Sequence, residues 1–436
     1  MPGGQAFVYA WSMRNSVWTP AARYGPGNRL SPQIRPWADV AEKLDRINRA
    51  EQRSSSRSPV GQSGSHHEHA KQMKRRNDPM IATLHLVILA GLLTGSAATG
   101  ATENALARAF ADDCAAKAAA AEKAASMVVK GRDGWLFFDK ELRHIGVGRF
   151  WGDAAPKASR TAKPEDADPL PAILDFKTQL DAAGIELIMM PVPPKAIVYP
   201  EMISDKIAPG SDGALPRLDP FHQEFYKLLQ DNKIAVVDLV PPLMAARNDP
   251  AGPVFCKHDT HWSGRACIIA AKLIAQQVNY RLWLKGGKRL DLAPEERTLQ
   301  IAGDLWKALG DPGVAGESLS LRFICANGQP VQPDKASPVV LMGDSHTLVF
   351  HTGGDDMLAA GAGLADQLAM ELGRAVDVVG VRGSGATPAR ISFFRRSQAD
   401  KTYLDAKKLV IWCFSAREFT ESQGWRKVPI RPRSTE

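Results

Sequence analysis

From residue 173 onward, short unbroken apolar runs alternate with stretches whose apolar positions recur at helical spacing. Residues 173–183 read as a helix and 185–192 as a continuous apolar strand. Residues 221–232 are a second helix and 234–240 a second strand; 264–278 is helical, 339–342 strand, 357–374 helix and 376–381 strand, and 409–414 closes the series. A strand that is apolar at every position, not every second one, is buried on both faces. The pattern therefore predicts an α/β domain whose parallel sheet carries helices on both faces. In such sheets ligands bind outside the carboxyl ends of the strands, so the residues that follow each strand are the ones to inspect. Upstream, residues 103–130 are Ala-rich and helix-prone, and 131–134 breaks that run before the apolar 135–138. Residues 152–171 look like a linker, and the Gly- and Pro-punctuated 285–335 like an insertion.

The amino-terminal quarter behaves differently. Residues 1–72 are rich in Arg, Ser, Gly and Pro, include His66, His67 and His69, and show no sustained apolar period, which predicts a disordered or untranslated extension. Lys74, Arg75 and Arg76 then precede an apolar stretch at 80–93 and small residues at 96–101. A basic start, a short apolar core and a small-residue exit describe a secretory signal peptide, with an uncleaved anchor as the alternative. The stretch falls short of the ~20 residues of a spanning helix. Initiation at Met73 or Met80 would give a mature domain from residue 102 to 436, in the periplasm or anchored facing it.

Composition narrows the classes. With 436 residues, 44% hydrophobic and 23% charged, the chain is neither globally disordered nor a multi-span membrane protein. The net charge of +8 sits in the leader: residues 1–101 hold 13 Lys/Arg against 6 Asp/Glu, and the remainder 42 against 41. A nucleic-acid footprint on the folded part is thereby excluded. None of the five cysteines forms a CxxC pair, so zinc is not expected; export would permit one or two disulfides, with Cys114–Cys256 the expected pair and Cys413 a small buried hydrophobe. No G-x-G-x-x-G follows a strand and there is no P-loop, so no cofactor is expected.

Two post-strand segments carry candidate chemistry. The strand at 339–342 ends in Gly343-Asp344-Ser345-His346-Thr347, where a serine is held at the step from buried strand to loop; read plainly, it is a strand with an N-capping serine. The other segment is Lys257-His258-Asp259-Thr260-His261-Trp262-Ser263, just ahead of a helix. An Asp two residues before a His can accept a hydrogen bond from one ring nitrogen, leaving the other to take a proton from a serine hydroxyl. Asp259 or Ser263 could instead simply cap the helix, and two His with an Asp are also metal-ligand types, though no further ligand follows at suitable spacing.

Together, Asp-Thr-His-Trp and, about eighty residues on, Gly-Asp-Ser-His-Thr resemble the SGNH-hydrolase-like acetyltransferases of bacterial exopolysaccharide biosynthesis, the alginate O-acetyltransferases of the AlgJ/AlgX type. Gly131-Arg132-Asp133-Gly134-Trp135-Leu136-Phe137-Phe138, Pro191-Val192-Pro193-Pro194-Lys195 and Tyr199-Pro200-Glu201 resemble recurrent segments of that family, and the likeness runs from about residue 128 to 420. It implies an SGNH-like fold with flavodoxin-like layering, in the single-domain AlgJ-like form, since little chain follows residue 430. It implies Ser345 as nucleophile, His261 as general base and Asp259 as its orienting acid, with Asp344 shaping the turn.

Donors for the developing oxyanion, each worth roughly 3–4 kcal/mol in acyl transfer, would come from the Ser345 amide and from the glycine-rich loop 380–386 with Gly383 and Gly385. Arg382 is a candidate grip for a uronate carboxylate; Lys195 and Tyr199 are candidate cleft-lining residues. The implied partners are an acidic, alginate-like polysaccharide acceptor, a membrane-bound O-acyltransferase that supplies acetyl groups, and other exopolysaccharide secretion proteins. A polysaccharide acetyl esterase using the same triad, or a non-catalytic polymer-binding scaffold, are the alternatives. One departure stands out. Where relatives often carry an acid after the last strand's Trp-x pair, this chain has Phe414-Ser415, which argues against a catalytic use of that segment.

Overall fold

The computed structural model describes residues 9–12, 17–20 and 104–431, except 212, 287, 288, 312, 314 and 315. The expected signal segment at 73–101, and all of 1–72 apart from two short strands, lie outside the described residues. Those strands, β1 (Tyr9–Ser12) and β2 (Val17–Pro20), pair antiparallel within a unit of their own spanning Met1–Pro79. The rest concerns the second unit, Met80–Glu436. Among the described residues no helix is long and apolar enough to cross a membrane.

In chain order this unit begins with α1 (104–123), β3 (Val128–Lys130), β4 (Leu136–Phe138), α2 (Asp139–Gly146) and α3 (Pro169–Ala182). Next come β5 (Glu186–Val192), α4 (Pro220–Asp231), β6 (Ala235–Val236), α5 (Val240–Ala246) and α6 (Gly264–Val278). Then follow β7 (Leu292–Ile301), α7 (Asp304–Leu309), β8 (Glu317–Ala326), β9 (Gln329–Pro330) and β10 (Val339–Gly343). The chain ends with α8 (Leu364–Leu372), β11 (Asp377–Gly380), α9 (Thr387–Ala399) and β12 (Leu409–Ser415).

Five strands form one parallel sheet in the order β11-β10-β12-β5-β6. Successive side chains of a strand point to opposite faces, and here both faces are cores. On β12, Leu409, Ile411 and Cys413 join one cluster with α6, α8 and α1; Val410, Trp412 and Phe414 join the other with α3, α4 and α9. This is why the strands read as unbroken apolar runs.

Counted from β10 instead of β5, the sheet order becomes 2-1-3-4-5, the flavodoxin-like order. The chain traces that sheet from a different starting strand. The Asp-His loop therefore comes before the serine in sequence, although both lie at the same end of the sheet. The topological switch point, where such folds bind ligands, falls between β10 and β12.

Several boundaries differ from expectation. The second strand shrinks to Ala235–Val236 and gives way to α5. The helix expected over 357–374 occupies only Leu364–Leu372, because residues 350–363 turn repeatedly, and a side chain at Gly363 would meet the Val349 carbonyl at 2.4 Å. Helix α9 goes unseen in the pattern: its inward positions include Arg390, whose guanidinium lies over Trp412 and Trp425. The expected linker is instead packed, with Ala155, Ala158 and Ala167 buried. All five cysteines are free thiols. The expected Cys114–Cys256 disulfide is not formed; both residues are fully buried in the same core cluster and serve there as small apolar groups.

Candidate active site

Strand β10 delivers the candidate nucleophile, Ser345. Its last residue, Gly343, pairs with Cys413, and a Cβ there would stand 1.5 Å from the Cys413 carbonyl oxygen, so only glycine fits. Asp344 then turns the chain. Its carboxylate accepts the His346 amide at 2.8 Å through Oδ1 and the Ser415 amide at 2.8 Å through Oδ2, tying the turn to the end of the neighbouring β12. Burial alone would raise this carboxyl, but His346, Arg417 and the Ser415 amide hold it low, at about 2. Asp344 is thus a fully buried anchor beneath the serine and not a ligand-facing group.

The second half of the site is a tight loop, residues 254–263, pinched by the Phe255–Trp262 bridge. Ser263 accepts the Arg265 amide as the N-cap of α6, which leaves Asp259 for other work. Within the loop His261 Nδ1 lies 2.6 Å from Asp259 Oδ1, and His261 Nε2 lies 2.7 Å from Ser345 Oγ. Alcohol, imidazole and carboxylate therefore form one hydrogen-bonded line, with 7%, 5% and 1% exposure respectively. Burial opposes charge on His261, yet the Asp259 charge and hydrogen bond win and raise its pKa above the ordinary 6.5. Burial would likewise raise Asp259, but the His261 charge and hydrogen bonds bring it well below the usual carboxylate range. Such an imidazole is fixed in one tautomer and tuned to accept a proton from the serine.

Groups far away in sequence hold this loop. Lys195, fully buried at the end of β5, donates from Nζ to the carbonyls of Asp259 at 2.6 Å, Leu136 at 2.8 Å and Lys257 at 3.4 Å. Glu317 on β8 accepts the Lys257 and His258 amides at 2.8 and 3.0 Å. Asp304 accepts the Thr260 amide at 2.7 Å and its hydroxyl at 2.6 Å, while the Asp304 amide donates to Asp259 Oδ2 at 2.8 Å. Gly303 lets the two segments close, since a Cβ there would sit 2.2 Å from the His258 carbonyl oxygen. Asp304 and Glu317 both come from the segment expected to be an insertion. No spacing signal links them to the Asp-His pair, and only the fold could reveal them.

Other expected site residues fall elsewhere. Lys195 does not line a cleft; it sits under the loop as described. Tyr199, 2% exposed, donates to the Arg247 carbonyl at 3.0 Å and accepts the Val254 amide at 3.1 Å, which makes it a buried brace. Arg382 is exposed and pairs with Asp356 at 3.1 Å, so its guanidinium is solvated and already engaged by a carboxylate. Gly383 adopts φ +82° in open space, whereas Gly385 packs against the turn, with the Asp344 nitrogen 3.0 Å from where its Cβ would be. Conversely, the exit of β12, set aside on sequence, lies beside the nucleophile turn. Arg417 donates to Ser415 Oγ at 2.8 Å and Glu141 Oε1 at 3.3 Å, and Glu418 accepts the Ser384 hydroxyl at 2.7 Å. Burial and the Asp344 charge raise the Glu418 carboxyl to about 7.

Ligating atoms of Asp259, His261 and Asp304 lie within 4.8 Å of one another. Each is already engaged by the imidazole, by Thr260 or by a backbone amide. Hydrogen bonds therefore occupy the ligating atoms of all three side chains.

A parallel α/β sheet with a serine, imidazole and carboxylate in line at its switch point defines an SGNH hydrolase-like domain. Residues 128–416 match the family described as "SGNH hydrolase-like domain, acetyltransferase AlgX", and the chain belongs to that family. It is 29% identical over 178 residues to the "Probable alginate O-acetylase AlgJ" of Pseudomonas syringae pv. tomato, covering 41% of this chain and 40% of that one. It is 26% identical over 236 residues to the protein of the same name from Pseudomonas putida, covering 51% and 56%. The chain thus spans about half or less of the length of these curated relatives. Among solved structures it is similar to the O-acetyltransferase domain of Pseudomonas putida AlgJ, with TM-score 0.49 and 24% identity over 67% of this chain and 91% of that one. It is also similar to Pseudomonas aeruginosa AlgX, with TM-score 0.47 and 16% identity over 66% and 62%.

Proposed function

We propose that the protein is an exported O-acetyltransferase that carries acetyl on Ser345 and passes it to hydroxyls of an exopolysaccharide, alginate being the polymer favoured by the names of its relatives. The observation that carries this reading is the 2.7 Å and 2.6 Å line from Ser345 through His261 to Asp259. In the first step His261 Nε2 takes the Ser345 proton as Oγ attacks the donor's acetyl carbonyl, and Asp259 stabilises the imidazolium that results. The tetrahedral intermediate collapses with expulsion of the donor's leaving group, which takes the proton from His261. In the second step His261 deprotonates an acceptor hydroxyl, which attacks the acetyl ester, and returns that proton to Ser345 Oγ as it leaves. A membrane-bound O-acyltransferase would present the acetyl group, in company with other secretion proteins. The basic, apolar and small-residue succession at 73–101 supports a periplasmic location.

Incubation with an activated acetyl ester should add about 42 Da, one acetyl replacing one hydrogen, and the adduct should map to Ser345. Ser345→Ala should show no adduct and no transfer to an oligosaccharide. Free acetate as the sole product in the presence of acceptor would make the protein an esterase, and unchanged polymer acetylation in cells carrying S345A would make it a scaffold.

A further inference from the structure

Arg417 is 8% exposed and stands just past the end of β12, beside the switch point. Its Nη1 alone is engaged, by Ser415 Oγ at 2.8 Å and Glu141 Oε1 at 3.3 Å. Its Nε and Nη2 make no hydrogen bond among the described residues, yet neither is sealed from solvent. The side chain is thus held in place through one nitrogen while its other donors stay open to an acceptor that arrives. Nε and Nη2 together form the side edge of the fork, the edge that grips both oxygens of a carboxylate. The same molecule uses that edge elsewhere: Arg217 donates from Nε and Nη2 to the two oxygens of Asp219 at 2.6 and 3.0 Å.

Nearby carboxylates are already taken. Asp344 holds the His346 and Ser415 amides, Glu141 accepts the Lys195 amide as well as Arg417 Nη1, and Glu418 accepts the Ser384 hydroxyl. The guanidinium also lies 5.3 Å from the centre of the Phe138 ring, which supports its flat face and fixes the direction of the open edge. The Ser415 side chain that Arg417 holds belongs to the residue whose amide donates to Asp344, one residue before the nucleophile. The guanidinium is therefore tied through Ser415 to Asp344, the neighbour of Ser345, by two short hydrogen bonds.

We propose that Arg417 is the carboxylate-binding residue of the acceptor subsite, gripping a uronate of the polymer side-on so that a ring hydroxyl is presented to acetylated Ser345. This rests on the reading of Ser345 as acetyl carrier. It assigns to Arg417 the role that the sequence suggested for Arg382.

The test compares transfer from an activated acetyl ester to an oligouronate and to the same oligosaccharide with its carboxyls reduced to alcohols. The wild type should prefer the acidic acceptor by about tenfold or more in kcat/KM, the size of one charge-assisted bidentate contact. In Arg417→Met that ratio should fall towards one, the loss appearing in KM for the acidic acceptor. Arg417→Lys keeps the charge without the fork and should lose most of the preference; it carries the test if R417M does not fold. A variant that slows both acceptors equally would assign Arg417 to the oxyanion or to scaffolding, and an unchanged ratio would remove it from recognition; either overturns the proposal. Failure of the wild type to form the Ser345 adduct would instead overturn the acetyl-carrier reading, and this one with it.

Discussion

The turn that carries Ser345 and the loop that carries His261 are fixed by different means. The turn depends on its own strand and the next one: Gly343 against Cys413, and Asp344 across to Ser415. These contacts follow from parallel pairing of β10 with β12, so the Gly-Asp-Ser run needs little else. The loop is not carried by a strand of the parallel sheet. It is hung from Lys195, Glu317, Asp304 and Gly303, which come from the segment just past β5 and from the 285–335 segment. Catalytic geometry therefore has a rigid half and a suspended half. Damage at a distance should reach the site mainly through the suspended one.

The comparison can be pressed hardest at the imidazole itself. Asp259→Asn should lower acetyl transfer by about 10^3 to 10^4-fold, as when a triad acid loses its charge. On the proposed mechanism the neutral imidazole is the base, so activity should rise with pH through the His261 pKa. Burial lowers that pKa and Asp259 more than offsets it, to a net position above 6.5. In D259N the acidic limb of the kcat/KM profile should move to lower pH; a limb that stays in place would mean that another group titrates there. Lys195→Met comes next. It removes a buried ammonium that serves three carbonyls, and should cost about 3–5 kcal/mol in thermal or urea unfolding. Transfer should also fall at temperatures where the variant is folded; full activity in a folded K195M would show that the loop holds itself. The smallest effect is expected at Arg382→Ala. An exposed pair with Asp356 should change stability by no more than about 0.5 kcal/mol and transfer by less than about twofold. A tenfold loss there would return Arg382 to the site.

Legibility in the sequence divided along the same line. The five strands, α3, α4 and α6 could be read because each buries an apolar face with regular spacing, and Gly264–Val278 falls where its pattern puts it. The Asp259–His261 pair was readable because a carboxylate two residues before an imidazole is a local arrangement, and Ser345 because a serine after a buried strand is one too. Helix α9 was hidden because Arg390 occupies an inward position over two indoles, which breaks the apolar stripe. Lys195 and Tyr199 were misplaced because a lysine after a strand looks solvent-seeking until three carbonyls converge on it. The exit of β12 was undervalued because Arg417 and Glu418 read as surface charges, yet both are buried beside the turn.

By itself the sequence determined the layered α/β class and the local chemistry of two motifs, since burial periodicity and short-range hydrogen bonding are properties of neighbouring residues. Only the tertiary structure decided that His261 meets Ser345, that Asp304 and Glu317 brace the Asp-His loop, and that Arg417 is buried beside the serine turn while Arg382 is exposed. Those outcomes rest on contacts between segments tens to hundreds of residues apart, brought together by the strand order of the sheet, which side-chain spacing along one strand cannot encode.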